Sequence, residues 1–387
     1  VIDLNTNSVV GSSISVPDDS SGIATDTVLG TPYAYITNYD PNTISPIDLN
    51  TNEVGSSIAV GTGPSAVATV RIKSVPYAYV VNNGSSTVSV VNLLTNTKVG
   101  EDISVGANPV GIAIVSVAGK LYAYVPNYID NTVSVIDLAT NFVIRSISVG
   151  QGPSGITTAV VGDTPYAYVC SYSDNAVTVI NLLTNTTVGS PITVGNGPSA
   201  ITSEIVNGNP YVYVANLNDH SISVIDLTLN QVEGLPLPVG QQPYALTASR
   251  VAGVPFLYVV NYLDNNVAVI NLETKNHVGL PIAVGDGPSG IATLIVNPPT
   301  DFVGKRKKNN FAMVREYYNQ LSWKLSTSDG VQGYLLSRNG KTIAVLQPNV
   351  TSYQDNNRNP ADTDTYFLYA FDKDGDLSDP MMIVIQG

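Results

Sequence analysis

Short apolar runs rich in valine, isoleucine and tyrosine recur through the first three quarters of the chain, and clusters of Gly, Asn and Asp separate them. One well-marked stretch contains four such runs, at 154–161, 166–170, 176–182 and 187–194. β-branched runs between turn residues indicate short strands joined by hairpins, and no stretch keeps a helical period over about ten positions. We name the four predicted strands of this unit A, B, C and D in chain order.

The unit repeats along the chain. The first aromatic residue of the Pro-Tyr-Ala-Tyr motif and its variants recurs at steps of 44, 45, 44, 45 and 45 residues, at Tyr33, Tyr77, Tyr122, Tyr166, Tyr211 and Phe256. A four-stranded unit with this period is typical of a β-propeller, whose blades run about 40 to 50 residues. Both faces of each strand are apolar, as expected for a blade that is covered by a neighbour on each side.

The ends of the repeat region predict how the propeller closes. The chain starts in a strand C at 1–4, and the repeats end in a strand A at 289–296. The sequence therefore predicts an all-β, seven-bladed β-propeller with six complete blades and one composite closing blade. That blade takes strand A from 289–296 and strands C and D from 1–16, which removes the open sheet edges. Its strand B is missing and is expected to come from residues before Val1, because A and C run in the same direction.

The composition changes at Asn297-Pro298-Pro299. Residues 1–299 hold 7 Lys/Arg and 20 Asp/Glu, whereas residues 300–387 hold 10 of each. We therefore predict a propeller at 1–296, a linker at 297–299 and a small β-sandwich at 300–387. In the sandwich, Asn339-Gly340 predicts a hairpin turn. The basic run at 305–308 is expected to be a solvated part of the first strand.

Two resemblances sharpen these predictions. The motifs at 122–141 and 149–157 resemble the YVTN-type β-propeller repeat family, and the resemblance covers essentially all of 1–296. It implies a secreted, periplasmic or cell-surface protein of a prokaryote. Residues 300–387 resemble a fibronectin type III domain. That resemblance implies that Trp323 is the core tryptophan of the second strand and that Tyr366 is the tyrosine-corner residue, bonded back to the backbone.

The loops that join B to C and D to A lie on the same face of a propeller, which we call the loop face. The B–C loops carry aromatic and acidic residues and form a candidate recognition surface for a protein or a glycan. The competing interpretation is that Asn-Tyr-x-Asp-Asn is turn chemistry, repeated because the hairpin repeats. The candidate binding residues are Tyr39, Asp40, Asn83, Tyr128, Asp130, Tyr172, Asp174, Asp219, His220, Tyr262 and Asp264.

The remaining polar candidates favour structural roles. The Ile-Asp-Leu position alternates between Asp and Asn, so it requires a side-chain oxygen for the C–D hairpin rather than a charge. His220 and His277 fall in loops on opposite faces and cannot share a metal, so no metal or cofactor is expected. Cys170 is expected to be a buried, inert thiol. Gly61, Gly150, Gly195 and Gly285 are expected to allow a positive φ where strand D passes to strand A.

These features favour a non-catalytic secreted or cell-surface binding or adhesion protein. The formal net charge of −13 argues against nucleic acid as partner, no apolar run is long enough to span a membrane, and a monomer is expected. One alternative is a propeller enzyme, a lactonase-like hydrolase or a streptogramin-type lyase, with His220 and nearby acids at the channel mouth. A second alternative is a secreted effector that binds a host protein.

Overall fold

The computed structural model describes the chain except residues 18, 30, 74, 252, 294–299, 312–313, 327–330, 357, 360, 372–377, 379–380 and 387. The described residues form strands and turns without any helix, which confirms the all-β prediction, and so none of them forms a helix that could cross a membrane. The chain divides into two compact units. The N-terminal unit comprises Val1–Val115 and Leu121–Leu294, and the C-terminal unit comprises Ser116–Lys120 and Ile295–Gly387. The predicted linker at 297–299 lies outside the described residues.

The repeat region begins with a two-stranded hairpin and continues with antiparallel sheets that we number 1 to 6. The hairpin is β1 (Ile2–Asp3) and β2 (Ser8–Val9). Sheet 1 is β3 (Ser20–Val28), β4 (Thr31–Asn38), β5 (Thr43–Asp48), β6 (Glu53–Val54) and β7 (Ile58–Ala59). Sheet 2 is β8 (Pro64–Ile72), β9 (Val75–Asn82), β10 (Thr87–Asn92), β11 (Thr97–Lys98) and β12 (Ile103–Ser104). Sheet 3 is β13 (Ala113–Val117), β14 (Lys120–Asn127), β15 (Thr132–Asp137) and β16 (Phe142–Ser148).

Sheets 4 to 6 repeat the same order of strands. Sheet 4 is β17 (Pro153–Val161), β18 (Thr164–Ser171), β19 (Ala176–Asn181), β20 (Thr186–Thr187) and β21 (Ile192–Thr193). Sheet 5 is β22 (Pro198–Val206), β23 (Asn209–Asn216), β24 (Ser221–Asp226), β25 (Gln231–Val232) and β26 (Leu237–Pro238). Sheet 6 is β27 (Pro243–Val251), β28 (Val254–Asn261), β29 (Asn266–Asn271), β30 (Asn276–His277) and β31 (Ile282–Ala283).

Strand D differs from the prediction of one continuous strand. In sheet 4 it is broken into β20 and β21, which pair separately with β19. Gly189 between them has a φ of +68°, and Pro191 follows, so the chain leaves the ladder and returns to it. Sheet 3 has neither residue type within Phe142–Ser148, and its strand D stays continuous.

Consecutive sheets pack face to face through apolar side chains. Val177 and Val179 of sheet 4 form one buried cluster with Val212 and Val214 of sheet 5. Cys170 belongs to the same cluster and has no exposed surface, which confirms that this thiol is buried. Burial raises the pKa of Cys170, because a thiolate is poorly stabilised in an apolar environment, so the thiol is a poor nucleophile.

A tyrosine hydroxyl links each of several sheets to the C–D turn of the following one. Tyr124 of sheet 3 donates to Asn185 Oδ1 of sheet 4 at 2.8 Å. Tyr258 of sheet 6 makes the same link to Asn7 Oδ1 at 3.4 Å. Asn7 has a φ of +50°, close to the +53° of Asn185. The hairpin of β1 and β2 therefore stands next to sheet 6 as a C–D hairpin would.

A serine hydroxyl near the start of strand A makes a second set of links. Ser154 donates to the Pro198 carbonyl of the next sheet at 2.7 Å, and Ser289 donates in the same way to the Ser20 carbonyl of sheet 1 at 3.2 Å. Residues 289–293 are not part of a strand, and 294–296 lie outside the described residues, so the predicted strand A at 289–296 is not seen. A strand needs a partner, and the described chain supplies no strand B beside it. The cluster around Tyr258 is completed by residues from both ends of the repeat region, Ile2, Leu4 and Ile291.

Burial of the repeated tyrosines predicts a loss of stability in alkali. Desolvation of the phenolate is the main cause that raises the pKa of these hydroxyls well above the ordinary 10.0. The folded state therefore holds their protons more tightly than the unfolded state, and this contribution to stability is lost as the pH rises above about 10. The residues are Tyr35, Tyr79, Tyr124, Tyr168 and Tyr213.

We expect the urea midpoint of unfolding to be clearly lower at about pH 11 than at about pH 8. Ultraviolet titration of the native protein should leave part of the 22 tyrosines un-ionised until unfolding begins. If all of them ionised with an ordinary pKa while the protein remained folded, the burial argument would be wrong.

The C-terminal unit contains two antiparallel sheets. One has the order β32 (Thr300–Phe311), β33 (Val314–Lys324) and β36 (Ser352–Asp355). The other has the order β35 (Lys341–Leu346), β34 (Gly333–Arg338), β37 (Asp364–Phe371) and β38 (Met381–Ile385). Asn339 and Gly340 both have a positive φ and close the two-residue turn of β34 and β35, which confirms the predicted hairpin.

Trp323 lies in the core of this unit, as predicted, with only 4% of its surface exposed. Its indole ring packs edge-on against Phe302 and Tyr334. The predicted role of Tyr366 is wrong in one respect: its hydroxyl donates to Asp355 Oδ2 at 2.5 Å rather than to the backbone. A hydroxyl has one proton to donate, and a carboxylate is a stronger acceptor than a carbonyl.

Asp355 belongs, together with Asp364, to a buried polar network that the sequence did not predict. Asp364 has no exposed surface and accepts from Arg306 at 2.7 Å, from Asn319 at 2.8 Å and from Arg358 at 3.1 Å. The expectation that the basic run of the first strand is solvated is therefore wrong for Arg306. Its side chain is only 11% exposed because it compensates the buried Asp364 charge.

Candidate functional site

The B–C and D–A loops of neighbouring sheets are joined by hydrogen bonds along the loop face. The backbone N–H of Tyr172 donates to the Gly152 carbonyl, and that of Leu217 donates to the Gly197 carbonyl, both at 2.9 Å. In sheets 2 to 6 the D–A loop is thus bound to the B–C loop of the sheet that it enters. The B–C loops are 39–42, 83–86, 128–131, 172–175, 217–220 and 262–265, and the D–A loops are 60–63, 105–108, 149–152, 194–197, 239–242 and 284–287.

Four of the candidate acids use one carboxylate oxygen to hold a D–A loop. Each accepts a hydrogen bond of 2.6 to 2.8 Å from a backbone N–H that lies 23 residues earlier in the chain. In sheet 2, Ser85 accepts from Thr62 N at 3.2 Å in the same way. The repetition shows that these acids have a structural role, and each retains a second oxygen. The pairs are Asp130 with Ala107, Asp174 with Gln151, Asp219 with Asn196, and Asp264 with Gln241.

The last residue of each B–C loop holds the D–A loop that follows its own sheet. Asn175 has a φ of +52° and accepts from the Gly197 N–H at 2.9 Å. His220 has the same φ and replaces the asparagine: its Nδ1 accepts from the Gln242 N–H at 3.1 Å. An accepting Nδ1 places the ring proton on Nε2. His220, on which the enzyme alternative depends, is thus already used by the loop structure at one ring nitrogen.

The loop-face tyrosines lie against glycines of the D–A loops. A side chain at Gly152 would lie 3.2 Å from the Tyr128 ring, and one at Gly197 would lie 3.2 Å from the Tyr172 ring. Tyr39 and Tyr262 cover Gly63 and Gly287 in the same manner. The last residue of the D–A loop is not glycine in two cases, Asn108 and Gln242, and there the matching B–C loop begins with Asn83 and Leu217 instead of tyrosine. The tyrosine ring and the glycine therefore occur together because one covers the other.

The first glycine of the D–A loop has a different function from the one predicted. Gly61, Gly150, Gly195 and Gly285 do not have a positive φ; the left-handed residues are Gly63, Gly152, Gly197 and Gly287, two positions later. Gly195 is needed because an added Cβ would lie 2.5 Å from the buried Asn216 amide. That amide donates to Ser221 and Ser223 and ties strand B to strand C.

The Ile-Asp-Leu acids and amides are confirmed as hairpin residues. In all seven copies the side-chain oxygen accepts from the backbone N–H two residues later. Hydrogen bonding, first from the Thr228 hydroxyl, lowers the pKa of Asp226 below its ordinary value. His277 lies in β30, and its Nε2 contacts the Pro238 carbonyl at 2.8 Å. The described residues contain no group of three or more His, Cys, Asp and Glu side chains that could hold a metal ion.

Several apolar side chains of the loop face remain exposed although the loops are held in place. Tyr39 is 40% exposed and Tyr262 38%, while Tyr128 and Tyr172 are half-buried. Two B–C tips also present Ile129, 65% exposed, and Leu263, 52% exposed. These two were not among the candidate residues, and the signal for them was an apolar residue between the loop tyrosine and the loop acid. The remaining candidates are placed as follows: Asn83 bonds the Pro109 carbonyl and Asn108, and Asp40 is exposed.

A shallow groove lies between sheets 3 and 4. Its lining comprises residues of β16, the D–A loop 149–152, β19 and the broken strand D of sheet 4, and it contains no titratable side chain. It offers no acid or base for catalysis. The lining residues are Ser148, Val149, Gly150, Thr178, Val179, Thr187, Val188, Gly189 and Pro191.

Comparison with known proteins supports the fold at a coarse level. No protein-family model matches the sequence, and no curated protein matches it. Among solved structures, the chain is similar to Kuenenia stuttgartiensis hydrazine synthase, with a TM-score of 0.59, 20% identity, and coverage of 72% of this chain and 91% of that one. A functionally unknown protein from Desulfotomaculum acetoxidans gives a TM-score of 0.57 at 17% identity, covering 73% of this chain and 90% of that one.

A third similar structure is BBS1N in complex with ARL6DN, with a TM-score of 0.54, 14% identity, and coverage of 87% of this chain and 94% of that one. At such identities the likeness concerns the fold alone. The protein therefore has an all-β, propeller-like architecture.

Proposed function

We propose that the N-terminal unit is a seven-bladed β-propeller of the YVTN type, with six complete blades and one composite blade built from both ends. The links from Tyr258 to Asn7 and from Ser289 to Ser20 support this proposal, because they repeat contacts made between consecutive sheets. Asp3 adds a seventh copy of the hairpin hydrogen bond to the six in the complete sheets. The C-terminal unit, with two packed sheets around Trp323, is proposed to be a fibronectin type III-like β-sandwich.

We further propose that the protein is a non-catalytic binding or adhesion protein, secreted, periplasmic or at the cell surface, and that its loop face recognises a protein or a glycan. The observation that carries the proposal is the presence of exposed aromatic and aliphatic side chains on loops that hydrogen bonds hold in place. Exposed apolar groups on a preorganised surface favour binding, because little conformational entropy is lost on association.

The proposal is tested with the full chain on protein and glycan arrays. Replacing Tyr128, Tyr172 and Tyr262 together by alanine should abolish binding of any partner found. The double variant Ile129→Ser and Leu263→Ser should weaken it, and it should fold because sheet 4 already has Ser173 at this position.

A matched control changes exposed apolar residues at the C–D turns, on the side away from the loop face. The variant Leu94→Ser, Leu183→Ser and Leu229→Ser removes side chains that are 43%, 52% and 66% exposed and should bind like the wild type. Binding that survives both loop-face variants, or that only the control removes, would show that the loop face is the wrong surface.

A further inference from the structure

Three departures from the repeat meet at one point of the loop face, between sheets 5 and 6. His220 stands where four other loops have asparagine, Gln242 stands where four have glycine, and Tyr244 stands where five copies have serine. His220 Nδ1 accepts a hydrogen bond from the Gln242 N–H, and only Pro243 separates Gln242 from Tyr244 in the chain. The three changed residues therefore lie close together. The junction between sheets 2 and 3 departs from the repeat at the same three positions, but none of its residues there is aromatic, so what is particular to this junction is the added tyrosine ring.

Tyr244 adds a second aromatic ring to a loop-face tyrosine. Its ring centroid lies 5.7 Å from that of Tyr262, and the two planes are tilted by 37°. Tyr244 is 48% exposed, more than any of the four loop-face tyrosines. The two rings form an open aromatic platform, which we call the Tyr244–Tyr262 platform. Among the described residues neither hydroxyl has a hydrogen-bond partner, so both are available to a ligand.

Polar groups lie next to the platform. His220 has its proton on Nε2, and no described residue accepts it. Gln241 is exposed, and its backbone N–H is already bonded to Asp264 Oδ2 at 2.8 Å, which leaves its side-chain amide for other contacts. The site therefore offers two aromatic rings with a side-chain donor and a side-chain amide beside them.

This combination points to a saccharide. A sugar ring has a face of C–H groups that stacks on an aromatic ring and a rim of hydroxyls that can each donate and accept. An extended peptide strand would instead need free backbone groups along a sheet edge, and the N–H groups of Gln241 and Gln242 are already bonded. The charge of residues 1–299, with 7 Lys/Arg against 20 Asp/Glu, disfavours an anionic sugar.

We propose that the Tyr244–Tyr262 platform, with His220 and Gln241 at its border, is a binding site for a neutral saccharide. The inference rests on the proposed role of the loop face and restricts that role to one junction and one class of ligand.

The test is titration calorimetry of the full chain with neutral tetrasaccharides of β-linked glucose, β-linked N-acetylglucosamine and α-linked mannose, and with tetragalacturonate as the anionic probe. At least one neutral probe should bind in the millimolar range or tighter, and more tightly than tetragalacturonate. Tyr244→Ser should weaken it about tenfold, since removal of a stacking aromatic removes a main contact. This variant restores the common residue of the repeat, so it should fold. Tyr244→Phe should keep the affinity within about threefold.

Phe142→Ser, which removes an aromatic side chain of β16 that is 71% exposed and lies outside the loop face, is the matched control and should bind like the wild type. Failure of every neutral probe to bind, or unchanged affinity in Tyr244→Ser, overturns the inference. Decaproline binding at this site in place of the sugars also overturns it. If the loop-face variants abolish a partner from the arrays while Tyr244→Ser does not, the inference fails and the proposed function stands.

Discussion

Gly195→Ala is expected to destabilise the N-terminal unit by about 2 to 4 kcal/mol. The new Cβ would lie 2.5 Å from Cγ and Nδ2 of Asn216, which has no exposed surface. The asparagine cannot move away without giving up its hydrogen bonds to Ser221 and Ser223, which hold strands B and C together at the loop face. If Asn216 stays in place, the new Cβ overpacks the site. If it moves, its buried amide loses its hydrogen bonds, and both outcomes are costly.

The control is Gly285→Ala, at the same position of the repeat. Gly285 also lacks a positive φ, but an added Cβ would have no atom of the described residues within 4 Å, so we expect a change below about 0.5 kcal/mol. Urea unfolding followed by near-ultraviolet circular dichroism of the tyrosines measures both variants. Equal destabilisation of the two would mean that glycine is needed for its backbone freedom after all.

Asp364→Asn is expected to destabilise the C-terminal unit by about 3 to 5 kcal/mol. The carboxylate is fully buried and compensates Arg306 and Arg358, whose side chains are only 11% and 14% exposed. An amide of the same size removes the negative charge and leaves two nearly buried guanidinium groups without their main partner. The cost arises from desolvated charge rather than from lost volume.

Trp323 provides a selective measurement, because it is the one tryptophan of the chain and lies in the core of the C-terminal unit. Denaturation followed by its fluorescence reports on that unit alone. The control is Asp301→Asn, which removes an ion pair to Lys324 whose partners are 54% and 67% exposed, and it should change stability by less than about 1 kcal/mol. A fluorescence midpoint of Asp364→Asn that matches that of the control would refute the role assigned to the network.

The sequence pattern was sufficient to predict features that depend on residues close together in the chain. The alternation of β-branched runs with Gly, Asn and Asp gave the strands and hairpins, and the Asn339-Gly340 turn has the backbone that its residues require. The free exchange of Asp and Asn in the Ile-Asp-Leu position correctly predicted a hairpin hydrogen bond two residues away. The break in strand D was not predicted, because apolar residues lie on both sides of Gly189 and look like one continuous strand.

Contacts between distant segments could not be read from the pattern. The loop acids looked like free carboxylates, and only the fold places Asp174 against the Gln151 N–H. The first glycine between strands D and A was predicted to need a positive φ. The fold shows instead that Gly195 is required because an added Cβ would contact Asn216. In the sequence, Tyr244 is only an exception at a position where most copies have serine, and only the fold shows that its ring lies beside that of Tyr262.

The sequence by itself determined the repeating sheet and its hairpins, since these depend on the period of apolar residues and on turn residues a few positions apart. Tertiary structure alone decided what the loop-face acids contact, because the N–H partner of each lies 23 residues away in the preceding D–A loop. The difference is physical: strand and turn preferences act within a few residues, whereas burial, ion pairing and ring packing depend on which segments folding brings together.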